Sequence, residues 1–107
     1  MVVKYNEIQG TDIGGGITRR ILAHEGGMMI VEATFQKGAV GTAHRHPHEQ
    51  VSYILSGKFR YTMDGESYIL EKGDTYYVPP EVLHGAEALE DSVILDVFTP
   101  QREDFLS

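Results

Sequence analysis

The chain has 107 residues, of which 41% are hydrophobic and 23% are charged, so it is long enough for one compact core and too short for two. Its formal net charge is -7 and its Lys and Arg residues are scattered, which excludes the basic patch that nucleic acid or an anionic membrane surface requires. Cysteine is absent, so disulfides, thiolate metal sites and cysteine nucleophiles are excluded. We expect one domain over residues 1–107 and, because no secretory-signal pattern or long apolar run is present, a cytoplasmic location.

Short stretches rich in β-branched and aromatic residues alternate with glycine and proline, which predicts an all-β barrel or sandwich. The predicted strands are Thr18–His24, Met28–Gln36, Gln50–Leu55, Lys58–Met63, Glu66–Leu70, Thr75–Val78, Gly85–Leu89 and Val93–Phe98. Tight turns are predicted at Gly26-Gly27, Ser56-Gly57 and Asp64-Gly65. The one predicted helix is a turn or two over Arg102 to Leu106, after Pro100.

Histidines are concentrated in two places, with His44, His46 and His48 together and His84 far along the chain. Residues two apart on an extended segment project from the same face, so His44 and His46 can converge on one point, and Gln50 has the same parity. Imidazole is the commonest neutral metal ligand. Two such groups from one segment and a third from a distant strand predict a site for a divalent transition metal.

The residues around this cluster leave alternatives open. Glu49 supplies a carboxylate ligand if the backbone after Pro47 is irregular, although strand parity favours Gln50. His48 is assigned to the rim of the site or to a position behind the ligands, since Pro47 bends the segment. His24, at the end of an early strand, is interpreted as ordinary surface.

The spacing around the histidines resembles the cupin family. Gly38, His44-x-His46, Gln50 and Gly57 follow the first cupin motif, and Gly73, Pro79, Glu81 and His84 follow the second. The resemblance implies a cupin double-stranded β-helix, or jelly-roll barrel, with His44, His46, Gln50 and His84 around a metal inside it. The chain departs from the family pattern by having Gln50 where Glu is usual, and Glu81 and Ala88 where Gly and Asn are usual. All four ligands are then neutral, which favours Lewis-acid polarisation or anion binding over oxygen activation, and nickel, zinc, cobalt, manganese and iron all suit them.

Three further stretches, 44–53, 77–80 and above all 96–106, resemble the KdgF family of pectin-degradation proteins. The family consists of small cytoplasmic cupins, usually dimeric. The resemblance implies that the chain converts 4,5-unsaturated uronate monosaccharides, left by pectin or alginate lyases, into linear 4-deoxy-5-keto uronates. By the same resemblance Asp96 is the acid/base, Phe98 an apolar wall for the sugar ring, and Arg102 a catalytic and substrate-binding charge partner for the uronate carboxylate.

Each of these roles has a simpler alternative. Asp96 in an apolar strand is also explained by structural hydrogen bonds, and Arg102 beside Glu103 and Asp104 by a solvated ion pair. Arg60 and Tyr76 reach the cavity if their side chains point inward. The competing functions are an iron-dependent cupin dioxygenase, which would use Glu49, and a sugar- or metal-binding module without catalysis.

The segment from Met28 to Val31 is apolar on both faces. Together with the N-terminal segment it has more apolar surface than one small barrel can bury. We therefore expect a symmetric homodimer.

Overall fold

Two antiparallel sheets form the body of the protein. The computed structural model describes all of residues 1–107. The strands are β1 (Thr11–Asp12), β2 (Ile17–Glu25), β3 (Met28–Phe35), β4 (Val40–His44), β5 (Glu49–Ser56), β6 (Lys58–Met63), β7 (Glu66–Glu71), β8 (Thr75–Val78), β9 (His84–Ala88) and β10 (Ser92–Thr99). A 3₁₀ turn at Tyr5–Glu7 precedes them and the helix α1 (Glu103–Leu106) follows them. One sheet has the strand order β1-β2-β3-β10-β5-β8 and the other β4-β9-β6-β7, which confirms the predicted all-β jelly-roll barrel.

The eight strands expected from the sequence are present, with ends within one residue of the predicted ones. Two strands, β1 and β4, were not predicted from the sequence. Most of β4 is exposed, and it contains Gly41 and Ala43 with no alternation of apolar residues. Its strand conformation depends on hydrogen bonding to β9, which a local pattern does not reveal.

The predicted turns occur where expected, and all three contain left-handed backbone, with φ of 58° at Gly26 in the first. Asp64 and Gly65 have φ values of 51° and 84°, as a two-residue turn between β6 and β7 requires. Gly57 has φ of 86°, and a Cβ there would lie 2.0 Å from Ser92 Oγ. Ser92 Oγ accepts a hydrogen bond from the Lys58 amide at 2.9 Å, so this close approach joins two parts of the barrel.

The main hydrophobic core lies between the sheets. Phe35 of β3 meets Phe59 of β6 edge to face, with ring centroids 5.1 Å apart. The core residues are Ile17, Ala33, Phe35, Ala39, Ile54, Phe59, Ala88 and Ile94. A second cluster of Met29, Val31 and Phe98 lies towards the other end of the barrel, and Phe105 of α1 packs against it.

Strand register brings the polar interior residues together. One row across the larger sheet runs through Tyr76, Ser52, Asp96, Val31 and Ile21. Because cross-strand neighbours point to the same face, the carboxylate of Asp96 projects into the barrel between a serine and an apolar wall. No helix of the chain is long and apolar enough to span a membrane.

Candidate metal and substrate site

The three predicted histidine ligands come together inside the barrel. His44 ends β4 and is paired in register with His84, which begins β9. His46 follows in the loop before β5. One ring nitrogen from each histidine lies within 4.8 Å of the others, and His46 and His84 are buried. The convergence was expected from side-chain parity along one extended segment, but β4 ends at His44, so the loop turns His46 inward instead.

Backbone carbonyls fix the orientation of all three imidazole rings. In each ring Nδ1 lies within hydrogen-bond distance of a carbonyl oxygen, which assigns the proton to Nδ1 and leaves Nε2 as the bare acceptor. The distances are 3.0 Å from His44 to Thr42, 3.1 Å from His46 to His48 and 2.9 Å from His84 to Val82. The backbone carbonyl of His48 thus lies behind the ring of His46, which corresponds to one of the two positions expected for His48.

Gln50 adds an oxygen to this cluster. Its Oε1 lies 2.9 Å from His46 Nε2, and its Nε2 donates to Ser52 Oγ at 2.9 Å and Asp96 Oδ1 at 3.2 Å. Since the amide hydrogens are directed to Ser52 and Asp96, two acceptors, Gln50 Oε1 and His46 Nε2, face each other without a proton to share. A cation beside them removes this conflict. The side chains therefore fit a divalent metal held by three imidazoles and one amide oxygen.

Burial favours the neutral, metal-binding form of two of the imidazoles, His46 and His84. It lowers the pKa of His84 to about 4 and also lowers the pKa of His46. Protons therefore compete weakly for these rings at neutral pH.

Glu49 lies outside the site. It is exposed on the outer face of β5, where its Oε2 accepts a hydrogen bond from the Tyr77 hydroxyl at 2.6 Å. Its neighbour Gln50 is buried and points inward, in agreement with strand parity.

Asp96 lies beside the histidine cluster, with only one carboxylate oxygen bonded to the protein. Both Ser52 Oγ, at 2.5 Å, and Gln50 Nε2 donate to its Oδ1, whereas Oδ2 has no hydrogen-bond partner. Burial raises the pKa of Asp96 to about 6, although these two hydrogen bonds oppose the shift. A carboxyl group with such a pKa can both accept and return a proton near neutral pH.

Arg102 is buried rather than solvated, contrary to the simpler interpretation of the tail. Its Nε and Nη2 donate to the two oxygens of Asp104 at 3.1 and 2.9 Å, and this ion pair lowers the pKa of Asp104. Its guanidinium carbon lies 5.1 Å from the ring centroid of Phe98 and 4.2 Å from that of Phe105. The ion pair and the stacking together hold the arginine side chain in the cavity wall.

These groups line one cavity of about 290 Å³, which is large enough to hold a small molecule. Its polar lining includes His44, Gln50, His84, Asp96 and Arg102, and its apolar lining includes Phe98. Tyr76 also lines the cavity, as its parity allowed. Arg60 does not, since it is exposed and paired with Glu87 at 3.1 Å.

Three residues near the site were not predicted from the sequence. Ser52 lies two residues after Gln50 on β5, so strand parity could have placed it inside the barrel. Its hydrogen bond to Asp96 depends on strand register, which the sequence does not give. Arg19 and Phe105 line the cavity from β2 and α1. His24, expected at the surface, is partly buried, and its Nδ1 lies 2.6 Å from Gln101 Oε1.

Comparison with known proteins agrees with this geometry. Residues 31–98 match the cupin domain family. The chain therefore belongs to the cupin family, as the barrel and its histidine cluster indicate.

More specific relatives match nearly the whole length. The chain is 40% identical over 103 residues to the pectin degradation protein KdgF of Dickeya dadantii, covering 94% of each sequence. The structure of KdgF from a Halomonas species superposes with a TM-score of 0.94 at 39% identity, covering 98% of this chain and 97% of the other. An RmlC-like cupin from Shewanella frigidimarina has a TM-score of 0.94 at 40% identity, over 97% of this chain and 94% of the other. Within the cupins, the chain groups with KdgF.

Proposed function

We propose that this protein is an enzyme that converts 4,5-unsaturated uronate monosaccharides into linear 4-deoxy-5-keto uronates. The observation that carries the proposal is the free Oδ2 of Asp96, which belongs to a carboxyl group with a pKa of about 6 beside a metal-type cluster. Likeness to pectin degradation protein KdgF supplies the substrate class.

The reaction is an isomerisation in which one carboxylate suffices to move the proton. Asp96 Oδ2 takes the proton of the anomeric hydroxyl, a carbonyl forms at C1, and the bond between C1 and the ring oxygen breaks. The electron pair stays on that oxygen as an enolate of C5. Asp96 then returns the proton to C4, and C5 becomes the ketone. No water or oxidant is consumed, and a pKa near neutrality suits both transfers.

The remaining groups bind and orient the sugar. A divalent transition metal held by His44, His46, Gln50 and His84 would supply Lewis-acid polarisation of a substrate oxygen. Phe98 presents an apolar ring to the sugar, and Arg102 contributes positive charge for the carboxylate. Nε and Nη2 of Arg102 already donate to Asp104. A substrate carboxylate would therefore bind the remaining N–H groups of the guanidinium.

Proton NMR of freshly lyase-generated unsaturated galacturonate tests this proposal. We expect the purified, metal-loaded protein to accelerate formation of the open-chain keto acid, and a chelator or Asp96→Asn to abolish the acceleration. The matched control is Asp91→Asn, the same change at an exposed carboxylate outside the cavity lining, which should retain activity. A folded, metal-loaded wild type without acceleration would overturn the proposed reaction.

The two competing functions have less support. An iron dioxygenase would use Glu49, which lies on the outer face of β5, and oxygen uptake would be its signature. A binding module would need no free carboxylate beside the cluster. Its signature is sugar binding without turnover that Asp96→Asn leaves unchanged.

We also propose a homodimer formed through the outer face of the larger sheet. The segment from Met28 to Val31, on which the dimer was expected, places Met29 and Val31 in the core of the barrel instead. Val51, Tyr53 and Tyr77 are exposed on neighbouring strands of the outer face. Light scattering at micromolar concentration should give a dimer for the wild type and a monomer for Val51→Glu, and a monomeric wild type would contradict the proposal. The cytoplasmic location stays a prediction.

A further inference from the structure

Arg19 is a cavity residue with no role in the proposed reaction. It is the middle residue of the inward series Ile17, Arg19 and Ile21 on β2, and its register partner Ala33 belongs to the core. Its side chain therefore lines the same cavity as Asp96 and Arg102. An arginine among apolar inward residues needs a physical reason, since leucine there would bury more easily.

Phe105 brings Arg19 and Arg102 together. The guanidinium carbon of Arg19 lies 3.8 Å from the centroid of the Phe105 ring, and that of Arg102 lies 4.2 Å from the same centroid. The two guanidinium groups stack on the same ring and repel each other, because both carry a positive charge. An anion between or beside them would relieve the repulsion.

The two arginines differ in what they already bind. Arg102 directs Nε and Nη2 at Asp104, whereas Arg19 makes no ion pair and no side-chain hydrogen bond. Burial lowers the pKa of Arg19, the charge of Asp104 opposes this shift and the charge of Arg102 adds to it, and Asp104 forms neither a hydrogen bond nor an ion pair with Arg19. A partly buried guanidinium with all its donors free is prepared to bind an acceptor that enters the cavity.

We propose that Arg19 is a second carboxylate-binding arginine, which shares the uronate carboxylate with Arg102 at the cavity wall around Phe105. The inference rests on the proposed function for the identity of the anion as a sugar carboxylate. Arg19 acts on affinity and orientation, whereas the proton transfer belongs to Asp96. The planar fork of Arg19 supplies the two parallel donors that Arg102, turned towards Asp104, does not offer.

The test compares binding of D-galacturonate with binding of its uncharged methyl ester, by calorimetric titration of the metal-loaded protein. The wild type should prefer the acid. Arg19→Met, which keeps the apolar stem and removes the charge, should weaken binding of the acid about tenfold or more and leave the ester unchanged, because a hydrogen-bonded charge pair is lost. Arg19→Lys should restore part of the preference. Phe105→Leu is the matched control that removes the shared ring and retains both charges.

The outcomes separate this inference from the proposed function. A wild type without preference for the acid would count against the uronate assignment itself. A wild type that prefers the acid, with the preference intact in Arg19→Met, would overturn only the role of Arg19. Equal weakening of acid and ester in Arg19→Met, matched by Phe105→Leu, would show that Arg19 merely holds α1 in place. Unchanged melting temperature and metal content establish that each variant is folded.

Discussion

Replacing Asp96 by asparagine separates a catalytic carboxylate from a structural one. Asparagine has the same shape, and its Oδ1 can accept the hydrogen bonds that Ser52 and Gln50 now donate to one oxygen of Asp96. The change therefore removes the buried negative charge and leaves the existing contacts intact. We expect the variant to be inactive and, without metal, more stable than the wild type.

The magnitude follows from the pKa. Burial raises the pKa of Asp96 from 3.8 to about 6, a shift of roughly two units at about 1.36 kcal/mol each. Because the folded-state pKa is raised, the proton-linked stability is fully present below pH 3.8 and is lost as the pH rises through about 6. At pH 7 the ionisation of Asp96 therefore lowers the free energy of unfolding of the wild type by about 3 kcal/mol. Asp96→Asn avoids this loss, because asparagine stays neutral.

Thermal unfolding of the metal-free proteins at several pH values measures this effect. For a domain of this size we expect Asp96→Asn to melt about 10 °C above the wild type at pH 7, with the difference disappearing near pH 4. Loss of the base should reduce kcat/KM by about 10²-fold or more. A variant that is less stable than the wild type at pH 7, or one that keeps full activity, would refute the reasoning and identify Asp96 as structural.

Three further predictions concern the metal, the proton-transfer group and the barrel. A chelator should lower the melting temperature of the metal-loaded wild type more than that of His84→Ala, which lacks one of the three imidazoles. Differential scanning calorimetry measures both shifts, and equal shifts would exclude metal binding at this cluster. Ser52→Ala removes a hydrogen bond that lowers the pKa of Asp96, so the acidic limb of the kcat/KM profile should move to higher pH, whereas an unmoved limb would contradict Asp96 as the titrating base. Gly57→Ala should destabilise the protein by about 2 to 4 kcal/mol in urea unfolding, since its Cβ would meet Ser92 at positive φ. Gly27→Ala, with open space around it, should be nearly neutral, and equal effects of the two changes would contradict the steric explanation.

The fold was largely predictable because most strands carry their own signal. Alternation of inward and outward residues defines β5, a run of apolar and β-branched residues defines β10, and Asp64-Gly65 fixes the turn between β6 and β7. In contrast, β4 has no such pattern and is a strand only because β9 lies beside it. Pairing between segments distant in sequence is the information that local periodicity lacks.

The candidate site was likewise predictable only in part. The residues that converge on one point were named from their spacing, since His44, His46 and His84 occur in a recognisable motif. Asp96 was named as the acid/base from the family resemblance, but its free Oδ2 was not predictable, because it depends on register with Ser52 and on the orientation of the Gln50 amide.

The tail shows most clearly why composition alone misleads. Arg102 beside Glu103 and Asp104 is typical of a solvated turn, and Asp104 does pair with it. However, Phe98 and Phe105 form an apolar enclosure around Arg102, so the cation is buried and faces the cavity. Burial strengthens the interaction of this cation with any anion that replaces water there, because the local dielectric constant is low. We therefore expect this short acidic tail, in a chain of net charge -7, to form a cavity wall that favours an acidic substrate.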